Sequence, residues 1–303
     1  MPRATANGIE LEYEVTGEGE PLLLIMGIGA QLVTWPRGLI DAFVGRGFRV
    51  IRFDNRDAGL STRIDEARAP KAMRTMVRGL LGLSVEAPYT LFDMADDAAA
   101  LLDALEIDAA HVLGASLGGM VAQSMAITHP RRMRTLTSVM SNTGNRFTAI
   151  SKPKAIKALL GKAPRTEEEA VAYMLHFRRV CGSTGFPFDA DMHADIARQT
   201  YRRGMHPRGF ARQLAAIMAT GDRTRALRHV RVPTLVVHGS ADPLLPPIGG
   251  RATARAIPGA RLRIIDGMGH DLPKEVWPIL ADEVATLASD NGPRVAGRER
   301  AAS

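Results

Sequence analysis

A serine hydroxyl becomes a nucleophile only when a base takes its proton and a third group orients that base. One serine of this 303-residue chain sits in a setting suited to that chemistry. It is Ser116, in Ala110-His111-Val112-Leu113-Gly114-Ala115-Ser116-Leu117-Gly118-Gly119-Met120. A short apolar run ends in Gly-x-Ser-x-Gly and passes directly into Met120–Ala126, which reads as a helix. Strand, sharp turn and helix make a nucleophile elbow. The turn strains the serine backbone, and Gly114 and Gly118 remove side chains that would clash with the adjoining strand and helix. Gly119 lets the helix pack close to the sheet, and Ser116 stands at a helix N-terminus whose free N–H groups favour a developing negative charge.

The partners of Ser116 should come from loops at the carboxyl ends of other parallel strands. Asp242 follows the apolar run Pro233–His238 by way of Gly239-Ser240-Ala241, and His270 follows Ala260–Ile265 by way of Asp266-Gly267-Met268-Gly269. Gly267 and Gly269 leave the histidine loop free to fold towards Ser116, and Pro243 fixes the turn that holds Asp242. Other candidates fit less well. His111 begins a strand at the wrong end, His129 precedes Pro130 at a helix C-terminus, and His238 falls at a buried strand end. His176, His193 and His206 lie in a helical stretch, Asp266 is placed to shape the histidine loop, and Asp54 belongs with Asn55-Arg56-Asp57 to a turn network. A tetrahedral oxyanion needs two preorganised donors. The Leu117 N–H, next to the nucleophile, is one; the Ile28 N–H, in the loop after Leu22–Met26, is the other.

These loops need a sheet beneath them. Ile9–Val15 alternates as a half-exposed strand, and Leu22–Met26 is the uninterrupted apolar run of a strand buried on both faces. Helix near Leu32–Arg46, strand Phe48–Phe53, helix Leu91–Leu105, the elbow and strand Met133–Met140 continue the rhythm of a parallel, helix-flanked sheet. Between 142 and 230 the reading becomes helical throughout, with a capping box at Thr166–Glu169 and an Asp189 cap. Basic residues outnumber acidic ones there by about two to one. The sheet resumes at Pro233 and ends with a helix from Lys274 to about Ser289.

The expected organisation is a core over 1–141 and 231–290, a lid inserted at 142–230 above the carboxyl edge of the sheet, and a disordered tail at 291–303. Met174, Phe177, Phe186, Phe188, Met192, Phe210 and Met218 either line an apolar pocket or form the core of the lid. Met73, Met76, Val77, Leu80 and Leu81, at helical spacing, are expected to pack inward rather than to form a lipid-binding stripe.

Composition narrows the setting. The chain is 46% hydrophobic and 23% charged, the balance of a globular protein, with a net charge of +7. Arginines are spread along it rather than gathered with aromatics, which argues against nucleic acid as partner. The start lacks the apolar segment of a signal peptide, and no uncharged run approaches membrane-spanning length. A cytoplasmic protein without stable membrane insertion is expected, its oligomeric state left open. The single cysteine, Cys181, excludes an internal disulfide and reads as a small packing residue at a helix end.

The chain order Ser116, Asp242, His270 resembles that of α/β-hydrolase-fold serine esterases, and the resemblance runs over nearly the whole length. It is similar to the aclacinomycin methylesterase-like subgroup, which likewise carries Met-Gly, here Met26-Gly27, where many relatives have His-Gly. The resemblance implies an α/β-hydrolase fold, triad roles for Ser116, Asp242 and His270, and oxyanion roles for Ile28 and Leu117. The leading expectation is hydrolysis of small-molecule carboxylic esters, with an apolar part, through an acyl-enzyme and without metal or organic cofactor. Lactonase, cofactor-free perhydrolase or haloperoxidase, and carbon–carbon hydrolase chemistry on the same triad remain alternatives. Carbon–carbon hydrolases usually carry Asn before the serine and Trp after the histidine, where this chain has Ala115 and Asp271. Haloalkane dehalogenases and epoxide hydrolases place Asp where Ser116 stands. A receptor that keeps the triad and barely turns over is a reading from another class.

Overall fold

The computed structural model describes residues 1–148 and 150–291. Among these residues eight strands form one sheet: β1 (Arg3–Ala6), β2 (Ile9–Thr16), β3 (Glu20–Ile25), β4 (Phe48–Phe53), β5 (Ala110–Ala115), β6 (Met133–Val139), β7 (Thr234–Gly239) and β8 (Arg261–Ile265). The spatial order is β1-β2-β4-β3-β5-β6-β7-β8, antiparallel from β1 to β4 and parallel from there onward. Eleven α-helices accompany it: α1 (Arg37–Val44), α2 (Ala72–Leu80), α3 (Leu91–Ala104), α4 (Leu117–Thr128), α5 (Pro153–Leu159), α6 (Glu167–Cys181), α7 (Ala190–Arg203), α8 (Pro207–Thr220), α9 (Thr224–Leu227), α10 (Pro247–Ala256) and α11 (Val276–Asp290). Helices α5–α9 all fall between β6 and β7.

The uninterrupted apolar character of β3 follows from helices on both faces. Leu23 and Ile25 pack with α3 and α4, while Leu22 and Leu24 pack with α1 and α11. Alternate side chains of a strand point to opposite faces, so both parities must be apolar. The sequence of strands reverses beside β3, whose parallel neighbours are β4 and β5. Ligand crevices in open α/β sheets form at such a switch point, beyond the carboxyl ends of the strands. In register Ile25 lies against Gly114, Ala115 against Val139, Val139 against Val237 and Gly239 against Ile265. The loops after β3, β5, β7 and β8 therefore emerge along one edge.

Three local expectations change. The predicted helix at Leu32–Arg46 is a 3-10 turn, Leu32–Thr34, followed by α1 from Arg37. Pro36 forces Trp35 into extended backbone and can only stand at the start of the next helix. A strand, β1, precedes the first predicted one; it pairs with β2 across Asn7-Gly8, both at positive φ (51° and 75°), the backbone of a tight hairpin. Arg3–Ala6 alternates, but it is four residues long and its only apolar side chains are alanines, so it gives no strand signal by itself. Met73, Val77, Leu80 and Leu81 are exposed, and of that predicted packing stripe only Met76 is buried. Apart from Asn291, the tail expected to be disordered lies outside the described residues.

Buried ion pairs fasten the inserted helices to the core. Arg212 of α8, 1% exposed, clamps Asp57 with two hydrogen bonds of 2.6 and 2.8 Å, and the Tyr89 hydroxyl donates to the same carboxylate at 2.7 Å. Burial alone would raise the Asp57 carboxyl pKa, but the Arg212 and Tyr89 hydrogen bonds outweigh it and hold it below the ordinary value. A depressed folded-state pKa contributes stability above the unfolded value, and that contribution is lost as pH falls through the folded one. Asp57→Asn, which keeps the shape and tolerates the positive φ of 67°, leaves the buried Arg212 cation with only the exposed Asp65 carboxylate, at 3.3 Å, as counter-charge. Urea unfolding of the variant at neutral pH is expected to show a loss of about 3–5 kcal/mol. The difference from the unmodified protein should begin to shrink below about pH 4, where the carboxyl of the unfolded chain protonates, and disappear only as pH passes the depressed folded-state value.

Candidate active site

The elbow serine stands where the pattern puts it. Ser116 has φ 57° and ψ −118°, a strained conformation for a residue with a side chain. Its N–H donates to the Val139 carbonyl at 3.0 Å; its carbonyl accepts from Gly119 and Met120 N–H at 3.0 and 3.2 Å and from the Ser141 hydroxyl at 2.9 Å. Side chains could not occupy the flanking positions. A Cβ on Gly114 would enter the Gly118 carbonyl, one on Gly118 would enter the Ile25 carbonyl, and one on Gly119 would stand 2.6 Å from Ser141 Cβ. From 110 to 126 every residue except Ser116 is buried.

His270 and Asp242 complete a line of hydrogen bonds. Ser116 Oγ donates to His270 Nε2 at 3.0 Å, and His270 Nδ1 donates to Asp242 Oδ2 at 2.7 Å. The carboxylate can only accept, so the imidazole proton lies on Nδ1 and the lone pair on Nε2 faces the serine. Asp242 Oδ1 is fully engaged, accepting from the Leu244 and Leu245 N–H groups at 2.9 Å each. Both Asp242 and His270 are buried.

The histidine loop is not free. The His270 N–H donates to the Cys181 carbonyl at 2.7 Å, and Arg178 Nη1 donates to the His270 carbonyl at 2.9 Å. Thr184 and Gly185 N–H groups donate to the Gly267 carbonyl at 2.9 and 3.0 Å. Ser183 Oγ accepts from the Gly269 N–H and donates to Asp271. Gly267 and Gly269, expected to give the loop freedom, serve close packing instead, lying against Gly185 and Gly182 where any side chain would collide. The segment from the end of α6 thus holds the histidine.

The predicted oxyanion donors flank the serine. A Cβ on Gly27, just before Ile28, would lie 3.3 Å from Ser116 Cβ, so the loop after β3 faces the elbow. Among the described residues neither the Ile28 nor the Leu117 N–H donates to another group. Gln213, which sequence reasoning missed, and Asn55, which it placed only in the Asp54 turn network, fix this loop. Gln213 of α8 accepts from the Gly29 N–H at 2.7 Å and donates to the Arg56 carbonyl, and Asn55 donates to the Met26 carbonyl at 3.1 Å. Nothing local in the sequence marks either residue, because each acts on a segment distant along the chain.

The remaining candidates take structural places. His111 bonds Thr135, and burial pushes its imidazole down to about 4. His129 caps α4 and meets Asp96 at 2.6 Å; His206 bonds the Gly59 carbonyl. Asp266 accepts from Ser240 within the loop, and Asp54 accepts from the Leu32 and Leu60 N–H groups. His238 is fully buried, donates to the Leu245 carbonyl at 2.7 Å and lies 3.6 Å from Asp242; burial lowers its pKa. It supports the acid loop from below. The Cys181 thiol is buried and pushed up to about 12, a packing residue as expected. Among the described residues no cluster of three or more His, Cys, Asp or Glu is arranged to hold a metal ion.

Ser116 and His270 open into a cavity of about 480 Å³. Met26 and Met140 contribute its floor beside Ser116, and Met174, Phe177, Met192 and Phe210 line it from the inserted helices. The other three apolar candidates of the insertion do not: Phe186 packs on the core, Phe188 is exposed and Met218 packs on α2. His193 also faces the cavity, and burial, reinforced by Arg178, pushes its imidazole down to about 4, so it is uncharged at neutral pH.

Residues 20–275 match the family described as the alpha/beta hydrolase fold. The chain belongs to that family. It is 30% identical to rhodomycin D methylesterase DnrP of Streptomyces peucetius, over 93% of this chain and 96% of that one. It is also 30% identical to rhodomycin D methylesterase DauP of Streptomyces sp. (strain C5), over 86% of this chain and 88% of that one. The enol-lactonase from Burkholderia xenovorans LB400 shares the fold, with a TM-score of 0.71 at 24% identity over 95% of this chain and all of that one.

The elbow geometry makes one substitution diagnostic. Gly118→Ala drives a methyl group into the Ile25 backbone, which cannot move without dragging β3. Thermal unfolding is expected to show a loss of about 3 kcal/mol or more, at the upper end of overpacking costs.

Proposed function

We propose that the protein is a serine hydrolase of carboxylic esters, with Ser116 as nucleophile, His270 as general base and acid, and Asp242 as its orienting partner. The observation that carries the reading is the unbroken line Ser116 Oγ, His270 Nε2, His270 Nδ1, Asp242 Oδ2, at 3.0 and 2.7 Å, opening into an apolar cavity of about 480 Å³. The methylesterase relatives support the ester as substrate class. His270 takes the Ser116 proton as Oγ attacks the ester carbonyl, and the carbonyl oxygen becomes an oxyanion. The Ile28 and Leu117 N–H groups, without other partners among the described residues, receive that charge. His270 then protonates the departing alkoxide, leaving an acyl-enzyme. A water deprotonated by His270 attacks next, and the acid leaves as Ser116 regains its proton.

Residues 142–230 act in this reading as the lid that roofs the carboxyl edge of the sheet. Met174, Phe177, Met192 and Phe210 receive the apolar part of the substrate. A small-molecule ester in the cytoplasm, rather than a nucleic acid, is the partner this site suits.

Turnover of p-nitrophenyl and methyl esters of rising acyl length tests the proposal. Ser116→Ala and His270→Ala are each expected to lower kcat by about 10⁶-fold; full activity in Ser116→Ala would overturn the mechanism. Asp242→Asn should cost about 10⁴-fold. Its carbonyl oxygen would keep the Leu244 and Leu245 N–H groups, turning the amide NH₂ towards His270 Nδ1. The imidazole proton would then move to Nε2, facing Ser116 with a donor where an acceptor is needed.

A further inference from the structure

The exposed side of α2 is a surface the hydrolase reading leaves unused. Met73, Val77, Leu80, Leu81 and Leu83 are between 41% and 64% exposed, and Phe147 and Ile150 reach 70% and 67%. Arg146 joins the two stretches: its guanidinium lies where a side chain on Gly82 would stand, and it stacks over the Phe147 ring at 4.9 Å. The inward side of α2, with Thr75 and Met76, is already buried, and Gly79 packs on Met218 of α8. The outward apolar face therefore serves no packing within the described chain. Contiguous exposed apolar surface of this kind marks an interaction site.

Charge identifies the occupant. Residues 67–85 carry four cations and no acid, and 143–165 carry six cations and no acid. Among the described residues none of Lys71, Arg74, Arg78, Arg146, Lys152 and Lys154 is in an ion pair. Of the neighbouring acids, Asp65 meets Arg212 at 3.3 Å and Asp222 accepts from Asn145 at 2.9 Å; Glu66 and Glu86, both exposed, border the first stretch and leave the ten cations of the two stretches in clear excess. Successive helix positions are about 100° apart, which sets Met73, Val77 and Leu80 on one stripe and Arg74 and Arg78 beside it. A helix with apolar tips flanked by cations suits the interface of an anionic bilayer. A second copy of this chain suits it poorly, because a twofold contact would set these cations against one another. The same segments also reach the catalytic cavity, which Ala72, Met73, Leu159 and Leu160 help to line. The apolar exterior is thus continuous with the apolar interior.

We propose that this face docks the protein peripherally on an anionic lipid surface, with α2, Phe147 and Ile150 at the interface. The docking itself does not depend on the esterase reading; given that reading, it presents the cavity mouth to esters dissolved in lipid.

Co-sedimentation with vesicles of equal parts phosphatidylglycerol and phosphatidylcholine tests it, with phosphatidylcholine vesicles alongside. The unmodified protein is expected to bind the anionic vesicles at low salt, to leave them at roughly 0.5 M salt, and to bind the neutral ones poorly. Each interfacial cation strengthens partitioning about fivefold, so Arg74→Glu with Arg78→Glu should weaken it about 25-fold or more. Leu81→Asp with Leu83→Asp should weaken it as well while leaving the circular dichroism spectrum and unfolding midpoint unchanged. No binding of the unmodified protein to anionic vesicles, or equal binding by both variants, would overturn the proposal. A dimer in solution that Leu81→Asp dissolves would assign the face to a second copy and overturn it too. Vesicle binding without ester turnover would sink the esterase reading and leave the docking intact.

Discussion

Backbone meeting backbone at the elbow is the constraint on which the site depends. Holding Ser116 at φ 57° costs on the order of 1–3 kcal/mol, and such strain persists only where the surroundings over-determine it. Here β6 accepts its N–H, the first turn of α4 and Ser141 engage its carbonyl, and the backbone of β3 abuts Gly118. Every one of those neighbours belongs to the sheet or to a helix packed directly on it, apart from Ser141 just beyond β6. The strain is offset by core packing, so the hydroxyl is aimed before any substrate arrives. In the proposed reaction, preorganisation of that kind places the Ser116 hydroxyl without a reorganisation cost.

The other two members of the hydrogen-bonded line are positioned by different means. Asp242 is set by two N–H groups of its own loop, a local device. His270 is set by residues 178–185, which lie about ninety positions earlier and belong to the insertion between β6 and β7. The core supplies Ser116 and Asp242, and the insertion grips His270. A displacement of the last turn of α6 would therefore move the imidazole away from an otherwise intact serine.

How much of this can be read from the chain follows the range of each interaction. Short-range patterns are clear: the apolar run of β3, the Thr166 cap of α6 (although Glu169, expected to close a capping box, bonds the Arg165 N–H instead), the Gly-Ala-Ser-Leu-Gly turn. So is the placing of Ser116, Asp242 and His270 each after a strand, because parallel register turns that sequence fact into a shared edge. What escapes is contact between distant segments. Gln213 beneath the loop after β3, His238 beside Asp242 and the packing of Gly267 and Gly269 on Gly185 and Gly182 have no local signature. The exposed stripe on α2 fails for a related reason: periodicity marks an apolar face, but only the fold decides whether anything covers it. Asn7-Gly8 is the opposite case, a hairpin signal present in the sequence whose flanking strand, four residues with only alanines as apolar positions, is too weak to support it.

The basic bias of the insertion gains its meaning from the structure. Arg212 is spent on Asp57 and Arg203 on Asp54 and Glu12, with a further bond to Gln31, so cations of the insertion meet acids of the core along the seam. Arg223 is buried without such a partner among the described residues; it bonds the Asn142 carbonyl at 2.9 Å, and desolvation lowers it to about 10. Buried pairs like these add little net stability over an apolar seam, since desolvation consumes most of the attraction. Their geometry is demanding, however, and a shifted seam would strand a charge out of water. They therefore select one docked arrangement over near neighbours. That arrangement matters because α6 packs on α7, the helix that ends in Arg203, and α6 leads into the segment that grips His270. Register along the seam is thereby transmitted to the imidazole, and the charge pattern that looks like surface composition is part of what sets the 3.0 Å between His270 and Ser116.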